Sequence, residues 1–133
     1  MAVKEVDIGL AADIGTLSRL PKIVGSFSWV KDVCLSARVF GAEEALKVGF
    51  VSHVEATKEK AIEKALSMAK LLAEKSPVAV QGTKELLNHA RDHNLADSLR
   101  YTGVWNSAAI QTKDVHDAML SGLHKRTPTF AKL

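Results

Sequence analysis

Within KEVDIGLAADIGTL, residues 4 to 17, the acids Glu5, Asp7 and Asp13 are set among small and apolar residues. A carboxylate beside Val, Ile, Leu and Ala lies near surface that folding buries, and its ionisation there is costly unless a partner or a chemical task compensates. Two such groups brought together can divide the work of proton transfer, one starting ionised as acceptor and the other starting protonated as donor. Glu5 at a strand end and Asp13 past a Gly-containing turn can converge across that turn, which an uninterrupted strand or helix of the same length would not allow. Each also has a structural alternative. Asp13 could cap a helix starting at Ile14, Glu5 could be an exposed strand residue beside Lys4, and Asp7 reads as structural.

Other reactive side chains form no comparable set. His89 and His93 have the four-residue spacing of two metal ligands on one helix face, but no nearby acidic ligand completes a zinc pattern, so they read as surface histidines and no metal is expected. His53, His116 and His124 belong to no constellation. Cys34 lies on an apolar helix face without an adjacent base, so it reads as packed rather than nucleophilic. Gly9, Gly15 and Gly25 match neither the P-loop nor the dinucleotide spacing, which leaves nucleotide-triphosphate chemistry unsupported.

The elements that must position these residues are mostly helical. Val3, Val6, Ile8 and Leu10 suggest a short opening strand, and a helix is expected from Ile14, broken or restarted at Pro21. Phe27, Val30, Val33, Cys34 and Ala37 share a helical face between Ser26 and Arg38. Ala42 to Val48 is a short helix closed by Gly49, and Phe50 to Val54 a second strand candidate. Thr57 to Lys75 is strongly amphipathic. Ser76-Pro77 restarts a helix continuing over 78–91, and two more follow at 95–110 and 112–123. Two isolated strands make no stable sheet, so a covering portion is expected upstream.

The 133 residues suffice for one domain with a real core. A hydrophobic share of 47% against 25% charged residues leads us to expect an ordinary soluble globular chain, and no apolar run approaches a membrane span, so no membrane insertion is expected. A single cysteine excludes an internal disulfide and fits a reducing compartment. The net charge of +3 is scattered without a basic block interleaved with aromatics, so nucleic-acid binding is not expected.

Three segments, GLAADIGTLSRLPKIVG, ARVFGAEEALKVGFVSHV and AEKSPVAVQGTKELLN, together resemble the C-terminal half of the crotonase (enoyl-CoA hydratase/isomerase) superfamily, in its order and at about its spacing. Most members carry Pro-Gly and a small residue where this chain has Ala12 and Asp13. Glu5 with Asp13 instead resembles the branch whose members isomerise 3,5-dienoyl-CoA to 2,4-dienoyl-CoA in fatty-acid β-oxidation. The resemblance implies an α/β crotonase-like spiral fold, represented here mainly by its C-terminal helical part with a short β remnant. About 1–54 would end the core spiral, about 55–127 would form the helical cover and oligomerisation region, and 128–133 would be a tail.

The same resemblance implies Glu5 and Asp13 as the catalytic proton donor and acceptor, in an order it does not settle. It implies a dienoyl-CoA substrate, with coenzyme A as part of that substrate and no separate cofactor, and assembly as a homotrimer or homohexamer. No coenzyme A contact can be named. The superfamily keeps the backbone donors of its oxyanion hole in the first half, outside this sequence. Ala131-Lys132-Leu133 resembles the Ser-Lys-Leu peroxisomal address, implying an import-receptor contact and a peroxisomal, alternatively mitochondrial, location. The competing readings are a non-catalytic helical oligomerisation module and an enoyl-CoA hydratase.

Overall fold

The computed structural model describes residues 1–132. Contacts divide the chain into one compact unit over Met1–Ala61 and a second from Ile62 onward. A 3-10 turn at Glu5–Ile8 precedes helices α1 (Thr16–Ile23), α2 (Phe27–Ser36), α3 (Ala42–Lys47), α4 (Lys58–Ala73), α5 (Pro77–Asp92), α6 (Leu95–Ala109) and α7 (Lys113–Leu123). Among the described residues there is no strand.

Both expected strands are therefore corrected, and the β remnant with them. A strand must satisfy its backbone polar groups on a neighbour, and no partner segment lies alongside either one. The opening stretch turns on itself instead: the Gly9 N–H donates to the Val6 carbonyl at 3.3 Å and the Leu10 N–H to the Glu5 carbonyl at 3.1 Å. The Phe50 and Val51 N–H groups both donate back to the Ala45 carbonyl, at 2.8 and 3.3 Å, and wrap the end of α3.

Pro21 does not break the first helix, because α1 continues through it to Ile23. A two-turn helix loses a single internal hydrogen bond to the missing N–H, and burial of Leu20 and Val24 on either side of Pro21 holds the segment in place. The core of the first unit gathers Leu20 and Val24 with Trp29, Val30, Val33 and Cys34 of α2, Phe40, and Ala45 of α3. Phe40 is its hinge, meeting Trp29 edge-on at 5.0 Å and Phe50 at 6.1 Å between ring centroids. The Ser26 hydroxyl accepts from the Trp29 N–H at 3.3 Å and starts α2, as a Ser N-cap does.

In the second unit, α5 and α6 form an antiparallel hairpin across His93 and Asn94. The Ser76 hydroxyl accepts from the Ala79 N–H at 3.1 Å and so caps α5, and Asn94 caps α6 by accepting from the Asp97 N–H at 3.0 Å. The hairpin closes around Gly82, where a Cβ would lie 2.5 Å from the Trp105 Nε1. Only a residue without a side chain permits that approach. Ser76 also donates to Asp114 at 2.5 Å, joining the start of α5 to the start of α7. Ile62, Leu66, Leu71 and Leu72 of α4 remain exposed.

Candidate active site

Glu5 is the first residue of the 3-10 turn, which Gly9 closes in the left-handed conformation at φ +78°. Its half-buried side chain lines a cavity of about 320 Å³ whose wall also includes Val3, Thr16, Arg19, Leu20 and Phe40. That cavity is mainly apolar with one acid and one guanidinium on its surface, the surroundings in which a carboxylate's charge matters to chemistry.

Asp13 is exposed and is not part of the cavity wall. It is also not the cap of the following helix. Gly15, at φ +99°, occupies the N-cap position of α1, which starts at Thr16 without a side-chain cap. The structure therefore removes the simplest structural role for Asp13 without joining it to Glu5 in one cavity. Asp7 is an exposed structural residue, ion-paired with Lys4 at 3.0 Å.

Arg19 is the residue that sequence reasoning missed. Its backbone N–H donates to the Gly15 carbonyl at 2.9 Å, and its side chain folds back so that Nε would lie 3.2 Å from a Cβ on Gly15. Gly15 thus serves both a left-handed turn and the passage of Arg19 toward the cavity. The signal was present in the SRLP segment, where a charged residue precedes the buried Leu20.

Cys34 sits in the core behind this region, 7% exposed. Burial first, and then the Glu5 carboxylate, push its thiol pKa upward, which keeps it protonated and unreactive. The frame beneath is held by charge. Arg38 pairs with Asp32 of α2 at 2.6 Å and with Glu44 of α3 at 2.5 Å.

His89 and His93 are not simply surface histidines, because their rings stack at 3.7 Å and 5° and the half-buried His89 also meets Tyr101 at 4.3 Å. His93 Nδ1 lies 2.8 Å from the His89 carbonyl. A carbonyl only accepts, so this nitrogen carries the proton. Among the described residues no group of three or more His, Cys, Asp or Glu could hold a metal. Of the C-terminal triplet, Ala131 and Lys132 are exposed, and Leu133 lies outside the described residues.

Comparison with known proteins gives a consistent relationship. The chain is 47% identical over 98% of its length to a human protein named mitochondrial delta(3,5)-delta(2,4)-dienoyl-CoA isomerase. It is 39% identical over 99% of its length to an Arabidopsis thaliana protein named as the peroxisomal isomerase. A mouse methylglutaconyl-CoA hydratase is more distant, at 30% identity over 98% of the chain. The chain spans less than half of these relatives, 41% of the human protein and 47% of the Arabidopsis one.

Among solved structures, DspI of Pseudomonas aeruginosa superposes with a TM-score of 0.90 at 30% identity, over 98% of this chain and 49% of that one. An enoyl-CoA hydratase of Geobacillus kaustophilus superposes at 0.92 with 24% identity, over 99% of this chain and 49% of that one, a likeness of fold alone. The family profile described as enoyl-CoA hydratase/isomerase matches residues 1–132. By that match along its described length, the chain belongs to the enoyl-CoA hydratase/isomerase family.

Proposed function

We propose that this chain is the C-terminal part of a dienoyl-CoA isomerase that converts 3,5-dienoyl-CoA to 2,4-dienoyl-CoA in fatty-acid β-oxidation. One observation carries the reading: the 47% identity over 98% of the chain to the human protein of that name. The placement of Glu5 on the wall of an apolar cavity supports it.

Moving both double bonds one carbon toward the thioester removes a proton from C2 and adds one at C6. Glu5 and Asp13 are the pair that carries those protons, one ionised and one protonated at the start. As C2 loses its proton, negative charge grows on the thioester oxygen, and oriented backbone donors stabilise it more than either carboxylate does. In this reading those donors belong to the first half of the family's fold. The shuttle uses no metal or redox cofactor, and coenzyme A enters with the substrate.

In the same reading the chain assembles as a homotrimer or homohexamer. Exposed Leu66, Leu99, Val104 and Leu123 support further protein burial in the helical unit. The mitochondrial and peroxisomal names of its relatives, with the Ala131-Lys132-Leu133 ending, support a peroxisomal location read by the import receptor, with a mitochondrial one as the alternative.

The test is a chimera in which this chain replaces the segment that it matches in the human isomerase. With 3,5-dienoyl-CoA it is expected to form the conjugated 2,4-dienoyl thioester, read by its ultraviolet absorbance. Glu5→Gln and Asp13→Asn are each expected to lower kcat by a factor on the order of 10² to 10⁴ with an unchanged melting temperature. Full activity in both variants would overturn the assignment. Water addition to a 2-enoyl-CoA without isomerisation would favour the hydratase reading, and binding without either reaction the non-catalytic one.

A further inference from the structure

A second polar cavity lies where the chain leaves α7, and no part of the isomerase reading uses it. Its volume is about 330 Å³, and it is lined by Asp117, Leu120, Ser121, Arg126, Thr127 and Thr129. The chain reaches it by a tight reversal: Lys125 adopts φ +52°, its N–H donates to the Gly122 carbonyl at 3.1 Å, and the Arg126 N–H donates to the Ser121 carbonyl at 3.0 Å. This brings Arg126 back over the last turn of the helix.

Two features of the wall point to a ligand. Ser121 is only 5% exposed, and its hydroxyl makes no hydrogen bond among the described residues. A hydroxyl withdrawn from water and left without a partner is costly unless something fills that place. Arg126 likewise pairs with no carboxylate among the described residues, although its five donors are arranged as a fork that matches two oxygens of one oxyanion. Thr127 and Thr129 add two more hydroxyls that can donate.

Asp117 sets the kind of oxyanion. It lines the same cavity and is approached by Lys113 at 3.9 Å and by His116 at 3.6 Å. A carboxylate there repels a ligand that carries only bare oxygens, but it accepts a hydrogen bond from one that keeps a proton. Phosphate keeps such a proton in the neutral range, its second ionisation in a monoester lying at about pH 6. Sulfate has none to offer.

We propose that this cavity binds a phosphate group bearing one proton. Arg126 grips two of its oxygens, Ser121 donates to another, and the P–OH donates to Asp117. The proposal stands independently of the isomerase reading, since it concerns other residues and a non-covalent ligand.

The experiment is isothermal titration of the 133-residue chain with sodium phosphate and with sodium sulfate, at about pH 6 and constant ionic strength. Phosphate is expected to saturate one site, and sulfate to bind more weakly by about tenfold or more, the worth of one charge-assisted hydrogen bond. Arg126→Gln, an exposed position, is expected to abolish binding with an unchanged circular-dichroism spectrum. Asp117→Asn is expected to erase the preference by raising sulfate to the level of phosphate. Equal binding of the two anions by the unaltered chain, unsaturable binding, or phosphate binding that survives Arg126→Gln would each overturn the proposal. Glycerol 3-phosphate distinguishes the source. Binding at least as tight as inorganic phosphate supports a phosphate carried on a larger molecule, and preference for inorganic phosphate supports the free ion, the site being upheld in both cases.

Discussion

Arg38 closes on Glu44 with both terminal nitrogens, Nη1 lying 3.0 Å from Oε2 and Nη2 2.5 Å from Oε1. The Trp29 indole N–H donates to the same Oε1 at 2.7 Å. A two-pronged guanidinium–carboxylate pair fixes orientation as well as distance. This one ties α3 to α2, and Trp29 carries the constraint onward to the Phe40 ring in the core. Phe40 also walls the cavity that Glu5 lines, so the polar frame and the candidate site share a residue.

This frame predicts an acid-sensitive stability. The hydrogen bonds from Arg38 and then Trp29 pull the Glu44 pKa from its ordinary 4.5 down to about 2. Between those values the unfolded chain binds the proton that the folded chain refuses. The stabilisation is therefore complete above about pH 4.5 and is lost as the pH falls toward about 2. Glu44→Gln keeps an oxygen for Trp29 but removes the charge. Its melting temperature is expected to be lower than that of the unaltered chain at neutral pH and to change less across the acid limb. Parallel melting curves down that limb would contradict the pairing.

Gly82 reverses the usual rule for glycine in a helix. Replacing it by Ala in an open helix interior would stabilise by roughly 0.8–1 kcal/mol. Here the new Cβ meets Trp105 Nε1 at 2.5 Å, and overpacking of this kind costs about 1–3 kcal/mol. Gly82→Ala is expected to destabilise the helical unit in urea titration. Combined with Trp105→Phe it is expected to be less damaging than the sum of the two changes, by about 1 kcal/mol of coupling. Simple additivity would mean that the two positions do not touch.

The helices after Gly25 were legible because their apolar spacing, Ser26 and Ser76 caps and closing breaks all agree locally. The strands were not. Val3, Val6 and Ile8 carry the composition of a strand, but pairing is a property of two segments, and the run satisfies its own backbone when no second one is present. Glu5 was legible as an acid in an apolar setting, whereas Arg19 was not, since its approach to the cavity depends on the left-handed backbone at Gly15. Ser121 and Arg126 were equally hidden. Their meeting is made by a positive φ at Lys125, a conformation that composition does not announce for a lysine.

Cys34 is expected to be a slow thiol. Its burial and the adjacent Glu5 charge both favour the protonated form, and the thiolate is the reactive species. Alkylation by iodoacetamide at neutral pH is expected to be slow in the folded chain and to rise to the rate of a free cysteine in denaturant. Glu5→Gln removes the second contribution and leaves the first, so a modest acceleration in the folded state is expected. An unchanged rate would mean that the Glu5 charge does not reach the thiol.

Gly15 and Gly9 offer a controlled comparison for the candidate site. Both are left-handed, at φ +99° and +78°, and a Cβ on Gly9 would meet nothing within 4 Å while one on Gly15 would press on Arg19. Alanine at either position pays for the left-handed backbone by about 1–2 kcal/mol, so similar losses of melting temperature are expected. Only Gly15→Ala also displaces the guanidinium from the cavity that Glu5 lines. In the chimera, kcat/KM is therefore expected to fall further for Gly15→Ala than for Gly9→Ala, and Arg19→Gln to reproduce that fall without the thermal loss. If Arg19→Gln instead leaves kcat/KM intact, Arg19 is a structural neighbour of the cavity, and the Gly15 effect belongs to the backbone alone.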